Sequence, residues 1–331
     1  MPFCIICYCK LLTYIHVYAY CIFALYNANA QNCQLTIDKR HQALGAIYRT
    51  FLRPGKNLKK LGQWAVVTGA TDGIGKAYAL GFAKKGMSVV LISRTESKLA
   101  DLKKEIDAKG YDGVEVKYVV CDYSNFDEKA QSTVAAAIGD LDVGVLINNV
   151  GVSYRFPRFF HELTDDEVGS LIEMNVNSTT WMTTMVIGGM IERRRGAIVN
   201  MSSGSAMYSL PLLAQYSAAK SYIVSFSRAL NAEYASKGVT VQCQIPFYVA
   251  TKLAKMRQSF MVPTPDQYVA LAMKFIGQKD TIVSPYWAHA FQGWVMHCLP
   301  ESIVTSQIMG MHLAIRKRGL KKDAKLAGKT E

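Results

Sequence analysis

Tyr216 and Lys220 stand four residues apart in YSAAK, inside a stretch whose pattern predicts a helix over 216–236. At that spacing both side chains project from one face of a helix. An ammonium beside a phenol lowers the phenol's pKa from about 10 toward neutrality. That chemistry makes Tyr216 a proton donor to a carbonyl and leaves Lys220 free to hold ribose hydroxyls. Thirteen residues upstream, Ser203 ends an apolar run, and its hydroxyl can hydrogen-bond the same carbonyl oxygen. Asn175, in EMNVNS, is a polar residue on an otherwise apolar helical stripe. Read as structure alone, it is an amide that satisfies backbone groups and distorts its helix. A Tyr-x-x-x-Lys by itself is common on helix surfaces, so its weight comes from Ser203 and from the turn described next.

TGATDGIG, residues 68–75, follows a short apolar strand and opens a helix. Gly69 permits the tight turn, while Gly73 and Gly75 let backbone approach a pyrophosphate and let the helix pack on a sheet. The spacing is G-x-x-x-G-x-G, which departs from the commoner dinucleotide fingerprint. At the end of the second apolar strand, where an acid would bind the ribose hydroxyls of NAD, the chain has Ser93 and Arg94. A guanidinium suits a 2′-phosphate and points to NADP.

Elements alternate around these residues. Strands are expected over 64–69, 87–93, 114–122, 143–149, 196–202 and 239–245. Helices are expected over 73–86, 96–110, 126–138, 164–195 and 216–236. Such alternation with apolar strands predicts an α/β fold, a Rossmann-type doubly wound parallel sheet in a single domain. The domain is expected over 46–315, after a hydrophobic anchor and basic linker (1–45) and before a basic tail (316–331).

The net charge of +13 lies in the flanks, because residues 61–315 carry 23 Lys and Arg against 22 Asp and Glu. A near-neutral core with basic ends excludes a nucleic-acid reader and suits an anionic membrane surface. Five of the eight cysteines fall within the first 33 residues, so the core has neither a disulfide framework nor metal-ligand spacing. Residues 3–26 are mostly apolar and long enough to span about 30 Å of hydrocarbon, with cations dense on the C-terminal side. The competing reading is a signal peptide cleaved near Ala28-Asn29-Ala30. The anchor is preferred, since the core's chemistry draws on a cytosolic cofactor pool.

Together, TGATDGIG, NNVG (148–151), Asn175, Ser203 and YSAAK resemble the short-chain dehydrogenase/reductase superfamily. The resemblance implies a catalytic tetrad of Asn175, Ser203, Tyr216 and Lys220, with Ser203 also touching substrate. It implies cofactor contacts at Gly69, Thr71, Asp72, Gly73, Ile74, Gly75 and Arg94. It places Asp122 near the adenine and Asn149 beside the cofactor, with Tyr216 and Lys220 at its ribose end. Further stretches, among them FLRPGKNLKKLGQWAVVTGATDGIGKAYA, DVGVLINNVGVSY, VQCQIPFYVATK and SPYWAHA, look like the very-long-chain 3-oxoacyl-CoA reductases of fatty-acid elongation, particularly the plant branch. Those are related to a 17β-hydroxysteroid dehydrogenase type. The resemblance implies NADPH, an acyl-CoA substrate, the endoplasmic reticulum membrane with the catalytic side in the cytosol, and the other elongase enzymes as partners. A homodimer is compatible with it. A steroid or retinoid dehydrogenase and a non-catalytic scaffold of the elongase are the alternatives.

In the superfamily the sixth strand runs into a Pro-Gly-x-Val-x-Thr turn. Here Pro246, Val249 and Thr251 keep that frame while Phe247 replaces the glycine. The match implies that the Val249 backbone and the Thr251 hydroxyl face the cofactor, and the lost glycine predicts negative φ at 247. KLAKMRQSFMVPTP (252–265) reads equally as a substrate lid, with cations for CoA phosphates, and as an amphipathic helix on the core. YWAHAFQGWVMHCL (286–299) is too short to cross a bilayer and reads as an interfacial or a buried helix.

Overall fold

The computed structural model describes residues 45–327. The described residues before Pro54 belong to one compact unit, with a π-helical turn at Tyr48–Leu52, and the chain from Pro54 onward forms another. The unit that carries the sheet starts at Pro54. The expected membrane span and cleavage site lie outside the described residues, and among those described no helix is long and apolar enough to cross a membrane.

Seven parallel strands form one sheet in the order β3-β2-β1-β4-β5-β6-β7. They are β1 (Trp64–Thr68), β2 (Ser88–Ser93), β3 (Val116–Val120), β4 (Val143–Asn148), β5 (Gly196–Met201), β6 (Val239–Gln244) and β7 (Ile282–Val283). The six expected strands are present with trimmed ends. β7, only two residues long, leaves too little pattern to be read in advance. The helices are α1 (Gly73–Lys84), α2 (Glu96–Asp107), α3 (Glu128–Ile138), α4 (Asp165–Ile172), α5 (Ser178–Glu192), α6 (Ala214–Tyr234), α7 (Pro265–Ala272), α8 (Trp287–Cys298) and α9 (Glu301–Ala327).

Buried strands alternate their side chains between two cores. Ala65, Val67, Leu91 and Ile147 pack with Tyr78 and Phe82 of α1, Leu99 of α2 and Tyr268 of α7. Val66, Ile92, Leu146 and Ile198 pack on the other face with Val134 of α3 and Met182 and Val186 of α5. The strand order reverses between β1 and β4, which opens a crevice at their carboxyl ends, where ligands bind in such sheets.

The helix expected over 164–195 is interrupted. Thr164 caps α4 in a capping box with Glu167, then a π-helical turn at Glu173–Asn177 intervenes before α5. Asn175 sits in that turn, and π turns recur at functional positions. Residues 252–262 form turns and no helix, leaving Leu253, Met256 and Phe260 exposed, so the amphipathic helix is not formed. α8 is neither wholly buried nor wholly free: Ala288 and His289 are buried while Trp294 and Val295 are exposed.

The basic tail expected over 316–331 is, as far as Ala327, the continuation of α9. Its charges hold the loop after β4. Arg316 pairs with Glu162 and lies 5.4 Å from the Phe159 ring, and Arg155 pairs with Asp323. Buried His312 approaches the Pro211 carbonyl at 2.6 Å through Nδ1. A chain ended after Ile315 loses Arg316 and Asp323 from these contacts. Its melting temperature is expected to fall by roughly 3–6 °C, the response of a domain this size to losing 1–2 kcal/mol. Thermal unfolding by circular dichroism measures this; an unchanged midpoint would make residues 316–331 a solvated tail after all.

Candidate active site

The Gly-rich turn leaves β1 with Gly69 at φ +62° and Gly73 at φ +52°, a region that side chains rarely adopt. Gly75 lies in the first turn of α1, where a Cβ would come within 2.2 Å of the Gly69 carbonyl oxygen. Asp72 caps α1 by accepting from Gly73 N–H at 2.8 Å. Burial works against ionisation of Asp72, yet Lys252 Nζ at 2.6 Å and the Gly73 N–H hold its pKa below the ordinary carboxylate value. Thr71 Oγ1 lies 2.9 Å from Ser93 Oγ and ties the turn to the end of β2. Ile74 packs its partly buried side chain against the core.

Arg94 and Asp122 flank the ends of β2 and β3, and both are exposed. Ser124 N–H and Oγ donate to Asp122 Oδ1 at 3.0 and 2.8 Å. These bonds lower the Asp122 pKa, and the nearby Arg94 charge adds to the effect. The pair presents a guanidinium and a carboxylate to the same crevice edge.

Asn149 leaves β4 and stitches the turn in place. Its backbone N–H donates to Thr68 Oγ1 at 2.9 Å, and its Nδ2 donates to the carbonyls of Thr68 and Gly69 at 3.1 and 3.3 Å. Two residues on, Gly151 meets the tetrad. A Cβ there would lie 2.6 Å from Asn175 Oδ1 and 3.0 Å from Lys220 Nζ. Asn175 Nδ2 donates to the carbonyls of Val152 and Leu171, both at 2.9 Å. Its Oδ1 is buried with no hydrogen-bond partner. The π-turn amide thus satisfies backbone on one side and aims a bare acceptor at Gly151 and Lys220 on the other.

Tyr216 is hydrogen-bonded to Ser203, whose Oγ also accepts from Ser205 N–H at 3.2 Å. Lys220 Nζ lies 5.8 Å from the Tyr216 ring centroid and donates to the Met201 carbonyl at 3.2 Å. The structure therefore assembles Asn175, Ser203, Tyr216 and Lys220 at one point. It corrects the expected electrostatics. Burial pushes the Tyr216 phenol above its ordinary pKa, against the Ser203 hydrogen bond and with a contribution from Tyr248. The lowered group is Lys220, whose pKa burial pulls down to about 8. A shared desolvated site acts on both groups, and it outweighs an ammonium set over the ring.

The turn after β6 closes over the Gly-rich loop. Val249 is buried, its carbonyl accepts from Thr251 N–H at 2.7 Å, and the Thr251 methyl lies 3.1 Å from a Cβ built on Gly73. Phe247 has no positive φ, as the lost glycine predicted. Its ring fills the space beside Gly204, where a Cβ would sit 2.8 Å from it, directly after Ser203.

The short chain dehydrogenase family profile matches residues 63–261. The chain belongs to that family. A very-long-chain 3-oxoacyl-CoA reductase of Anas platyrhynchos is 45% identical over 280 residues, covering 84% of this chain and 87% of that one. The human protein of the same name is 42% identical, covering 80% and 84%. A very-long-chain 3-oxoacyl-CoA reductase-like protein of Arabidopsis thaliana is 39% identical, covering 82% and 87%. Among solved structures, a 7β-hydroxysteroid dehydrogenase superposes with a TM-score of 0.69 at 26% identity, covering 76% of this chain and 99% of that one. A metagenomic short-chain oxidoreductase in complex with NADP superposes with a TM-score of 0.56 at 30% identity, covering 67% and 96%.

The residues of this short-chain dehydrogenase fit a nicotinamide dinucleotide. Glycine geometry bares the backbone of the turn, and the orphaned Asn175 Oδ1 asks for a partner that the protein does not supply. Several positioning residues escaped sequence reasoning. Tyr154 Oη accepts from Gln215 N–H at 3.2 Å and so caps the start of α6, one residue before Tyr216. Tyr248 is exposed at the mouth of the site. Lys252 pairs with Asp72 at the start of α1. No local signal marks Tyr154, because its partner lies 61 positions away.

Gly151→Ala is expected to lower kcat by about 10–100-fold with the fold kept, since misplacing catalytic groups by an ångström has effects of that size. Steady-state kinetics alongside circular dichroism would show it, and a folded variant of full activity would remove Gly151 from the site. The Lys220 ammonium is charged below about pH 8 and loses its proton above that. Accordingly kcat/KM, which reports the free enzyme, is expected to fall as pH rises through about 8. A profile flat to pH 9.5 would contradict this.

Proposed function

We propose that the chain is an NADPH-dependent very-long-chain 3-oxoacyl-CoA reductase, forming the 3-hydroxyacyl-CoA during fatty-acid elongation. The carrying observation is the meeting of Ser203, Tyr216, Lys220 and Asn175 beneath a dinucleotide turn, in a chain 42–45% identical to curated reductases of that name over about four-fifths of its length. An intact tetrad argues against a non-catalytic scaffold.

When bound, the nicotinamide supplies the two electrons that reduce the C3 carbonyl. Tyr216 donates its phenolic proton to the carbonyl oxygen, and its raised pKa keeps that proton in place at working pH. Ser203 donates a hydrogen bond to the same oxygen where negative charge develops. Lys220 holds the ribose hydroxyls. Asn175 Oδ1 accepts from a water that relays protons behind Lys220, which would satisfy its orphaned lone pairs. Arg94 receives the 2′-phosphate, which sets the preference for NADPH, and Asp122 borders the adenine.

The same reading puts the protein at the endoplasmic reticulum membrane, catalytic unit in the cytosol, beside the other elongase enzymes. Exposed Trp294, Leu299 and Ile303 at the α8–α9 junction suit an interfacial depth. Trp181 and Tyr222, exposed on the adjacent helices α5 and α6, give a homodimer a face to cover. The deciding experiment offers the full chain long-chain 3-oxoacyl-CoA and steroid ketones with NADPH or NADH. Reduction of the acyl-CoA with NADPH is expected, and Tyr216→Phe is expected to lose at least 100-fold in kcat. Undiminished turnover in that variant, or reduction of steroids alone, would overturn the proposal.

A further inference from the structure

We infer that His289, on α8 and outside the tetrad, is a positioning residue that sets the cofactor-facing turn after β6 and fastens the apolar segment 252–262 beneath it. The inference rests on the cofactor reading above. His289 is fully buried, and both ring nitrogens are engaged by backbone. Nδ1 accepts from Phe247 N–H at 3.3 Å. Nε2 lies 3.1 Å from the Tyr248 carbonyl and 3.2 Å from the Met261 carbonyl.

One protonation state serves all three contacts: a neutral ring with its hydrogen on Nε2 and its lone pair on Nδ1. An imidazolium would turn a hydrogen on Nδ1 against the Phe247 N–H. Burial opposes that charge and pulls the His289 pKa to about 4, so the ring stays neutral at working pH. Aromatic neighbours fix its plane. The Tyr286 ring meets it edge-on at 4.9 Å between centroids, with Phe247 at 5.8 Å and Tyr268 at 6.2 Å.

The three backbone groups need such a partner, because residues 245–262 run as an irregular loop over the crevice, and none of the backbone–backbone hydrogen bonds of that loop uses the Phe247 N–H or the carbonyls of Tyr248 and Met261. With Phe247 in place of glycine, the turn keeps negative φ, and the imidazole satisfies the Phe247 N–H. The neighbouring residues of α8 grip the same segment. Tyr286 Oη donates to the Phe260 carbonyl at 3.0 Å, and the Trp287 ring meets the Phe260 ring edge-on at 4.8 Å. His289 therefore couples the turn that carries Val249 and Thr251 to the base of the exposed apolar segment. It acts on the reaction only through their positions.

The test compares the full-length wild type with His289→Leu, which removes all three contacts, and His289→Gln, which restores an amide donor toward the two carbonyls. NADPH affinity by fluorescence titration is expected to weaken about tenfold or more in His289→Leu and to return to within about threefold in His289→Gln. Amide exchange over 247–262 should quicken in the leucine variant alone. A folded leucine variant with wild-type NADPH affinity and exchange would overturn the inference. Should that variant not fold, the wild type decides through the ring 15N shifts of His289. A neutral Nε2–H tautomer between pH 5 and 8 supports the inference, and an Nδ1–H tautomer or an imidazolium overturns it. That measurement needs no cofactor. A wild type that binds neither NADPH nor NADH therefore refutes the cofactor reading separately.

Discussion

The hydroxyl of Thr68 is the joint on which the site hangs. It donates to the Ile147 carbonyl at 3.2 Å and accepts from the N–H groups of Asn149 and Val150 at 2.9 and 3.2 Å. One donor and two lone pairs are all used, so the hydroxyl has no freedom left. It locks the carboxyl end of β1 to that of β4 at the point where the strand order reverses. From this joint the Gly-rich turn departs on one side and Asn149 to Gly151 on the other. Gly151 then leaves the room in which Asn175 and Lys220 face each other. A threonine at the end of a strand therefore sets the distance between the dinucleotide turn and the tetrad.

The same burial that holds these groups in place also sets their chemistry. A low-dielectric site makes each satisfied hydrogen bond stronger and each unpaired group more expensive. Lys220 shows the second side in its lowered pKa, and Asn175 Oδ1 shows it as an acceptor without a partner. Tyr216 shows both, since burial raises its pKa while Ser203 moderates the rise. At the rim the balance changes. Asp72 and Asp122 are held ionised by N–H groups and nearby cations. The site thus runs from a charged, wet edge suited to phosphates to a dry interior suited to proton transfer.

The periphery is organised by residues distant in sequence. α9 grips the loop after β4 through Arg316 and Asp323, and that loop carries Tyr154, which caps the helix bearing Tyr216. α8 reaches the turn after β6 through His289. Both C-terminal helices therefore bear on loops that border the crevice. Phe247 connects the two halves of this arrangement, because its ring occupies the space left by Gly204 next to Ser203.

The sequence by itself determined what depends on near neighbours. Six strands and the helices between them follow from apolar runs and periodicity, helical spacing brings Tyr216 and Lys220 together with Ser203 upstream, and the resemblance to the short-chain dehydrogenases implies that Asn175 completes a tetrad with them. The negative φ at Phe247 was legible too, since it concerns one residue's own sterics. Tertiary structure decided whatever depended on distant partners. The two-residue β7 and the helical course of 316–327 both depend on contacts that no local window contains. So do the pKa directions of Tyr216 and Lys220: sequence spacing brings an ammonium beside a phenol, but only the packed site shows how much water each has lost.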